Sequence, residues 1–326
     1  MKKKLFPVVL AVSVMLILSM TFAGNVAAKK LIIFAGGPAG GTFQIVGQAI
    51  ATYKPVKAMT DYNIKVQSSG GSTENLRTVN SGKAQFGTVY SGHVFAGRNG
   101  LMVNDPVKYE NVLAVNYLYE APAQLVVRKD SGITSIMDLV GKKVAVGPAG
   151  SGAFSYCEMF FTHAGIWDKI ERNAVSYSAG ADAFSNNQVD ALWLFTAYPN
   201  SAVIQAATMN DIALVDLDAD ARKNGFYEKF KNFEPKPIPT SDGKYRGVEG
   251  DVGSFVDTTL LVANTNTPED LVYGILKAIY TPEGLAWMVE QKKTFKAMSV
   301  EKGLKGVATP LHPGAEKFWK EMGVLK

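Results

Sequence analysis

Glycine and hydroxyl residues recur in three short loops, each directly after a strand-like run. The loops are residues 36–42, 68–73 and 147–152. A helical pattern follows each loop: Phe43, Val46 and Ile50 recur at steps of three and four after the first. Such a turn places bare backbone N–H groups at the positive end of a helix, where an anion is stabilised. The pattern indicates a site built from backbone and hydroxyl donors.

Aromatic and hydroxyl side chains are expected at the same edge of the predicted sheet. They are Phe43, Tyr90, Ser91, Trp193, Thr196 and Tyr198. Together with the loop amides, they suit the recognition of a small organic anion in a cleft. Trp193 lies inside an apolar strand and favours a core position over a ligand platform, whereas Tyr198 at the strand's end is better placed for contact. The alternative is that the glycines serve only turns and close helix–strand packing.

Motifs for common chemistries are missing. The first loop has the glycine spacing of a phosphate-binding P-loop, but Thr42 stands where the lysine belongs. Neither Gly-x-Gly-x-x-Gly at the loops nor Gly-x-Ser-x-Gly occurs. His93, His163 and His312 lack metal-ligand spacing and favour surface or packing roles. We therefore predict a protein that is not an enzyme and uses no cofactor or metal.

Strands and helices alternate in two stretches of the chain. Residues 30–90 read as β-loop-α-β-loop-α-β, which predicts a parallel α/β sheet with its loops at the carboxyl edge. A second stretch repeats the pattern: strands at 143–147, near 174–177, 190–195 and 211–217, and helices at about 152–164, near 180–187 and from Pro199. Two such units predict two domains that face one ligand.

The connections between these units predict the domain limits. Strands at 112–117 and 124–128 flank a candidate crossover at 118–122, and a strand at 255–262 is the second. Ser72 or Thr73, Thr267 and Thr281 are candidate N-caps, and proline follows the last two. The C-terminal helices are expected to pack on the first domain. The predicted division is a signal peptide at 1–28, lobe 1 at 29–120 and 256–326, and lobe 2 at 121–255.

The N-terminus indicates export. Lys2–Lys4 precede a mostly apolar run to Met20, and Val26-Ala27-Ala28 fits a small-x-small cleavage site. An uncleaved membrane anchor is the alternative, although the run is short for a span. Cleavage would remove three of the 34 basic residues and none of the 29 acids, so the net charge would fall from +5 to +2. No basic run remains, which argues against nucleic-acid binding.

The chain has a single cysteine. Because Cys157 stands alone, no disulfide can form within the chain. We expect it to be a small buried hydrophobic side chain on a helix.

The sequence resembles the TAXI family, the solute-binding receptors of tripartite ATP-independent periplasmic (TRAP) transporters, over about residues 31–290. The first glycine-rich loop and its helix match the family. Further matches are the stretches 72–77 with 81–86, 125–128 with 131–133, 141–152, 189–192 and 198–200.

The resemblance implies a fold, a partner, ligands and site residues. It implies a two-lobed α/β fold of the type II periplasmic-binding-protein kind, with the ligand between the lobes. From the N-terminal pattern we expect the protein to be periplasmic, and we expect it to be a monomer. The partner would be a TRAP permease, usually driven by a sodium gradient, and the ligands would be carboxylates such as glutamate and 2-oxoglutarate. By position, the site residues would be Gly40, Gly41, Thr42, Phe43, Ser69, Ser72, Tyr90, Ser151, Thr196 and Tyr198.

The sequence departs from the family at three places. Pro38-Ala39 stands where Thr-Gly is more frequent, Phe43-Gln44-Ile45 replaces an aromatic-aromatic-Pro run, and Glu120 is in a different arrangement with proline. The identity of the ligand is therefore undecided, and Glu120 is a candidate to accept hydrogen bonds from a ligand ammonium group. Two other functions stay open as well: an exported enzyme that uses the same cleft, and a binding module of a membrane sensor.

Overall fold

The computed structural model describes residues 29–38, 41–59, 61–102 and 105–326. The predicted signal peptide lies outside the described residues. The strands are β1 (Lys30–Ala35), β2 (Tyr62–Gln67), β3 (Phe86–Tyr90), β4 (Val112–Arg128), β5 (Lys143–Ala145), β6 (Glu171–Asn173), β7 (Ala191–Phe195), β8 (Ile212–Leu214), β9 (Glu234–Pro235) and β10 (Phe255–Asn264).

The helices lie between these strands and at the C-terminal end. They are α1 (Thr42–Thr52), α2 (Lys54–Lys57), α3 (Ser72–Asn80), α4 (Ser91–Asn99), α5 (Gly152–His163), α6 (Tyr177–Ser185), α7 (Ser201–Met209), α8 (Leu217–Lys223), α9 (Phe226–Lys229), α10 (Glu269–Ile279), α11 (Pro282–Gln291) and α12 (Pro313–Glu321). Short 3-10 turns cover Ile136–Leu139, Trp167–Lys169, Thr240–Asp242 and Lys293–Ala297.

The first α/β unit has the predicted topology. Strand β1 lies between β2 and β3 and runs parallel to both. Side chains of β2 alternate between half-buried and exposed, as expected of an edge strand, whereas all of β3 is buried. The loops after β1, β2 and β3 therefore meet at one edge of the sheet. Strand β10 pairs with β3 in the antiparallel sense, so the complete sheet is mixed.

The two strands predicted at 112–117 and 124–128 form one continuous strand, β4, which runs through the crossover predicted at 118–122. Its residues 112–122 pair with β10, and residues 123–127 pair with β7, both antiparallel. The break expected at Glu120 and Pro122 does not form, since Thr258 and Val256 of β10 lie opposite them. Beyond β7, strands β5 and β6 continue a parallel unit. Two long strands thus join the two halves of the molecule.

Two of the predicted N-caps are wrong, because tertiary contacts use their hydroxyls. Ser72 accepts a hydrogen bond from the Tyr90 N–H at 3.0 Å, and α3 is capped by a glycine instead. Thr267 donates to the carbonyl of Gln85 at 3.0 Å, so α10 begins after Pro268. Thr281 is confirmed as an N-cap, since it accepts from Gly284 N.

Two boundaries in the second unit also differ from the prediction. The strand expected near 174–177 covers Glu171–Asn173, and Ser176 then caps α6 by accepting from Ala179 N. The helix expected to open at Pro199 begins at Ser201, because the Asn200 side chain caps it. Both differences arise because a capping side chain fixes the first turn of the helix.

The core confirms the expected positions of two residues. Cys157 is fully buried on α5, and Trp193 is fully buried on β7 with its indole N–H donated to the Ala153 carbonyl at 2.9 Å. The C-terminal helices pack on the first unit, as predicted: Trp287 of α11 donates to the Ala49 carbonyl of α1. In the part of the chain that the structure describes, no helix combines the length and apolar character needed to cross a membrane.

Candidate functional site

Three helix N-termini converge on one small cavity. Helix α1 follows Gly41, α3 follows Gly71 and α5 follows Ser151. The cavity is lined by Pro38, Gly41, Thr42, Phe43, Gly70, Gly71, Ser72, Tyr90, Ser151, Gly152, Ala153, Tyr177 and Thr196. Lys, Arg, Asp and Glu are absent from this set of described residues. The donors that line the cavity are therefore helix N-terminal amides and hydroxyls, and the nearby Glu74 carboxylate, in the first turn of α3, accepts from Gly70 N at 2.7 Å.

The helix N-termini at the cavity present backbone amides, and two of the three have no capping side chain. The N-caps of α1 and α3 are glycines, so no side chain caps either helix. Gly71 has a φ of 116°, which L side chains rarely adopt, so the loop before α3 requires glycine there. Ser151 caps α5 by accepting from Phe154 N at 3.0 Å, which leaves its hydroxyl hydrogen for another acceptor. An anion at this place would meet donors from both halves of the chain.

The cavity is closed in this structure. Its volume is about 20 Å³, which is room for about one water molecule. Contacts between the two halves narrow it: the Thr73 hydroxyl donates to the Gly150 carbonyl, and the hydroxyl oxygens of Thr42 and Thr196 lie 3.5 Å apart. The space in this structure is therefore too small for a ligand the size of an amino acid.

Two tyrosines supply ring faces to the cavity. The hydroxyls of Tyr90 and Tyr177 both donate to the Phe195 carbonyl, at 2.6 and 2.8 Å. Burial raises the pKa of both phenols, so they stay neutral. Their hydroxyl hydrogens are used within the protein, and their rings face the ligand space. Tyr177 is not among the predicted site residues, because the sequence pattern places it in a strand rather than at the start of α6 after the cap at Ser176.

The structure brings most of the predicted site residues together. Seven line the cavity: Gly41, Thr42, Phe43, Ser72, Tyr90, Ser151 and Thr196. Ser69 lies outside the lining and supports the loop, with its Oγ 2.6 Å from Asn75 Oδ1. Gly40 lies outside the described residues.

Tyr198 and Glu120 lie away from the cavity. Tyr198 donates to the Asp242 carboxylate, and its ring packs on Tyr245 with 4.9 Å between the centroids. Glu120 accepts from the ammonium groups of Lys236 and Lys305. Burial disfavours the charge of Glu120, but the two lysines outweigh it and lower its pKa. Its oxygens are therefore already occupied, which argues against a role in holding a ligand ammonium.

A histidine behind the cavity links the two halves. His93 Nδ1 lies 3.0 Å from Ser72 Oγ, and its Nε2 lies 3.3 Å from Ser155 Oγ. Burial lowers the pKa of His93 to about 3, so the imidazole is neutral. The expected packing role of His93 thus includes a hydrogen-bonded bridge between α4 and α5. In the described chain, no group of three or more His, Cys, Asp or Glu is arranged to hold a metal.

A buried carboxyl group completes the contact. Asp257 of β10 accepts from the Tyr156 hydroxyl of α5 and from Gly92 N at 3.0 Å. Burial raises the pKa of Asp257 to about 7, although these hydrogen bonds oppose the shift. The two halves therefore meet through an extended polar network beside the cavity.

Known structures share this architecture. The binding protein component of an ABC phosphonate transporter from Pseudomonas aeruginosa is 12% identical, with a TM-score of 0.51 over 82% of this chain and 79% of that chain. The periplasmic binding protein BugD is 17% identical, with a TM-score of 0.50 over 91% and 98%. A Bordetella bronchiseptica RB50 protein is 17% identical, with a TM-score of 0.51 over 90% and 82%.

The class of the fold follows from these matches and from the geometry. It is the two-lobed periplasmic-binding-protein fold, a mixed α/β architecture in which two units are joined by extended strands. Within this class, the chain belongs to the NMT1-like family, whose family model matches residues 34–323.

Proposed function

We propose that the protein is an extracytoplasmic solute-binding protein that captures a small organic anion by closing its two lobes. Lobe 1 comprises residues 29–120 and 256–326, and lobe 2 comprises residues 121–255. The change of pairing partner along β4, from β10 to β7 after residue 122, supports this division. The protein acts as a periplasmic monomer, delivered by the signal peptide at 1–28.

One observation carries the proposal: the N-termini of three helices from both halves meet at one cavity. An anion there bridges donors of α1 and α3 on one side and of α5 on the other. Donors from both sides reach one anion only when the halves approach each other, so the anion favours a closed form and shifts the population toward it. The ligand-bound closed form is wider than this structure, whose cavity of about 20 Å³ holds about one water molecule. Each charge-assisted hydrogen bond contributes about 1.5–3 kcal/mol, so three or four give micromolar affinity after ordering costs.

The ligand class follows from the donors. Neutral amides and hydroxyls suit a carboxylate, and the resemblance to the TAXI family supports glutamate, 2-oxoglutarate or a related dicarboxylate. The phosphonate-transporter component has the same fold, so phosphonates are the competing class of anion. The membrane partner is a TRAP-type permease, again on the basis of the resemblance.

Direct measurement of binding tests the proposal. The purified protein is gently denatured, the released compounds are identified by mass spectrometry, and the refolded protein is titrated by calorimetry with dicarboxylates, amino acids and phosphonates. We expect one carboxylate to bind with micromolar affinity and to raise the melting temperature. If none of these anions binds, the anion proposal is wrong. Uptake of the bound ligand into vesicles that contain a TRAP permease, dependent on a sodium gradient, tests the partner.

A further inference from the structure

A second and larger cavity lies between the two halves, on the other side of His93. Its volume is about 420 Å³, within the range of small-molecule sites. Ser72 lines the small cavity, whereas His93 and Ser155 line the large one. The imidazole of His93 therefore separates the two spaces. The walls come from α4 and the residues after it on one side, and from α5, the end of α9 and the residues after α9 on the other.

The walls of this second cavity are mostly apolar. Phe95 and Leu101 contribute from the first half, and Met159 contributes from α5. Phe95 is 47% exposed and Leu101 is 64% exposed. Single exposed apolar side chains are normal, but these two line one concave space. The cavity therefore offers a surface for the apolar body of a ligand.

Two lysines stand at the same cavity. Lys229 and Lys231 line it and are exposed. Neither forms an ion pair with another described residue. The Lys229 ammonium lies 5.4 Å from the centroid of the Phe230 ring, beside the apolar wall. No acidic side chain lines the cavity among the described residues.

We propose that this cavity is a second binding site, which takes a small amphiphilic monoanion such as a linear aliphatic monocarboxylate. The chain of the ligand lies on Phe95, Leu101 and Met159, and its carboxylate faces Lys229 and Lys231. This chemistry differs from that of the small cavity, which offers neutral donors to a compact anion. Because both halves line the second site, its ligand also favours the closed form and strengthens binding at the first.

Calorimetric titration with butyrate, hexanoate, octanoate and decanoate tests the site. We expect affinity to rise about fourfold for each added methylene until the cavity is filled. A Lys229→Gln/Lys231→Gln double variant should weaken decanoate binding about fivefold, since two exposed charge contacts are lost. Leu101→Gln should also weaken it and leave the fold intact, because Leu101 is exposed. The matched control is Lys142→Gln/Lys169→Gln, which removes two exposed lysines elsewhere and should change nothing.

Three results would overturn the proposal. One is an affinity for decanoate no higher than that for butyrate. Another is an equal loss in the two lysine double variants. The third is binding to phosphatidylglycerol vesicles with no binding of free decanoate, which would indicate a membrane surface instead. Titration of the same samples with 2-oxoglutarate and glutamate reports on the small cavity, so the two proposals succeed or fail separately.

Discussion

At the scale of single residues, the hydroxyls around the small cavity have different tasks. Ser72 holds the backbone of β3 and the ring of His93, so its hydrogen-bonding capacity is largely used within the protein. Ser151 uses one lone pair to cap α5 and keeps its hydroxyl hydrogen. Thr42 and Thr196 face each other across the closed cleft. Ser151 is therefore the hydroxyl best placed to donate to an anion.

Replacing Ser151 by alanine should reduce both stability and ligand affinity. Loss of the cap costs about 1 kcal/mol of unfolding free energy. Loss of a charge-assisted donor should weaken binding of the anion about tenfold. Ser176→Ala is the matched control, because Ser176 caps α6 in the same way without lining the cavity. The two variants should lose similar stability in urea unfolding, and only Ser151→Ala should lose affinity in calorimetry.

Asp257 and His93 should give opposite pH dependences of stability. The pKa of Asp257 is raised by burial from 3.8 to about 7, so between these values only the folded protein holds that proton, and stability falls as pH rises. The pKa of His93 is lowered by burial from 6.5 to about 3, so there the unfolded chain holds the extra proton, and stability rises with pH. Between pH 4 and 6.5 the two contributions cancel.

Single variants should reveal the two slopes. The groups that face this pair include the Tyr156 phenol and the hydroxyls of Ser72 and Ser155. Relative to the unmodified protein, Asp257→Asn should make the slope of stability against pH more positive by about 1.4 kcal/mol per pH unit, and His93→Gln should make it more negative by the same amount. Urea unfolding at pH 4, 5 and 6 measures both. Parallel profiles in the two variants would contradict the assignment.

At the scale of elements, local patterns predict the α/β units but not the strands that join them. The order of elements in residues 30–90 follows from hydrophobic periodicity and glycine-rich turns, which are local signals. The continuity of β4 depends on β10, more than 130 residues later, so the sequence at Glu120 and Pro122 gives the wrong boundary. Ser72 and Thr267 were misassigned for the same reason. Their hydroxyls bond to distant backbone groups, which no local pattern shows.

The same distinction explains the outcome for the site. Gly41, Ser151 and their neighbours were predictable because each follows a strand in a turn that must lie at the sheet edge. Tyr198 follows β7 in the same way, but its side chain contacts Tyr245 and Asp242 instead of the cavity. Those two residues lie in a loop whose sequence shows no hydrophobic periodicity, so the sequence does not predict this contact. Ser69 lies in one of the three predicted loops, but its hydroxyl contacts Asn75 and does not line the cavity.

Gly152 at the start of α5 should control closure. A Cβ atom there would lie 2.6 Å from the Ser72 Cβ and 2.8 Å from the Tyr90 ring, both on the opposite half. Gly152→Ala should therefore hold the halves apart and weaken anion binding at least tenfold, and the stability of lobe 2 should be kept, because alanine is the better helix former. Small-angle scattering with and without ligand measures the loss of compaction.

The control for this experiment is Gly132→Ala. Gly132 has a φ of 73°, and no atom lies within 4 Å of the place that a Cβ atom would take, so alanine there strains the backbone without touching the cleft. It should lower the melting temperature and leave ligand affinity and compaction unchanged. If ligand compacts Gly152→Ala as much as it compacts the unmodified protein, the predicted clash between Gly152→Ala and the opposite half does not control closure.

At the scale of the whole molecule, the two halves are held by contacts on two sides of the joining strands. On one side are the small cavity and the network of His93 and Asp257. On the other side, Glu120 of β4 accepts from Lys236, which follows β9, and from Lys305, which lies between α11 and α12. Its side chain is only 10% exposed. If the lobes close as proposed, we expect the equilibrium between open and closed forms to depend on these charges, which lie outside the ligand site.

Glu120→Gln should weaken ligand binding without a change in the ligand site. The variant leaves Lys236 and Lys305 next to each other without the carboxylate that both contact, so their repulsion favours separation of the halves. We expect roughly fivefold lower affinity at low salt. Salt screens the repulsion, so the difference from the unmodified protein should shrink as ionic strength rises. Glu316→Gln is the matched control, because its ion pair with Lys320 lies within α12 at 2.6 Å. Calorimetry at 20 and 500 mM salt checks both variants, and equal affinities in the two would show that the Glu120 cluster does not contribute to closure.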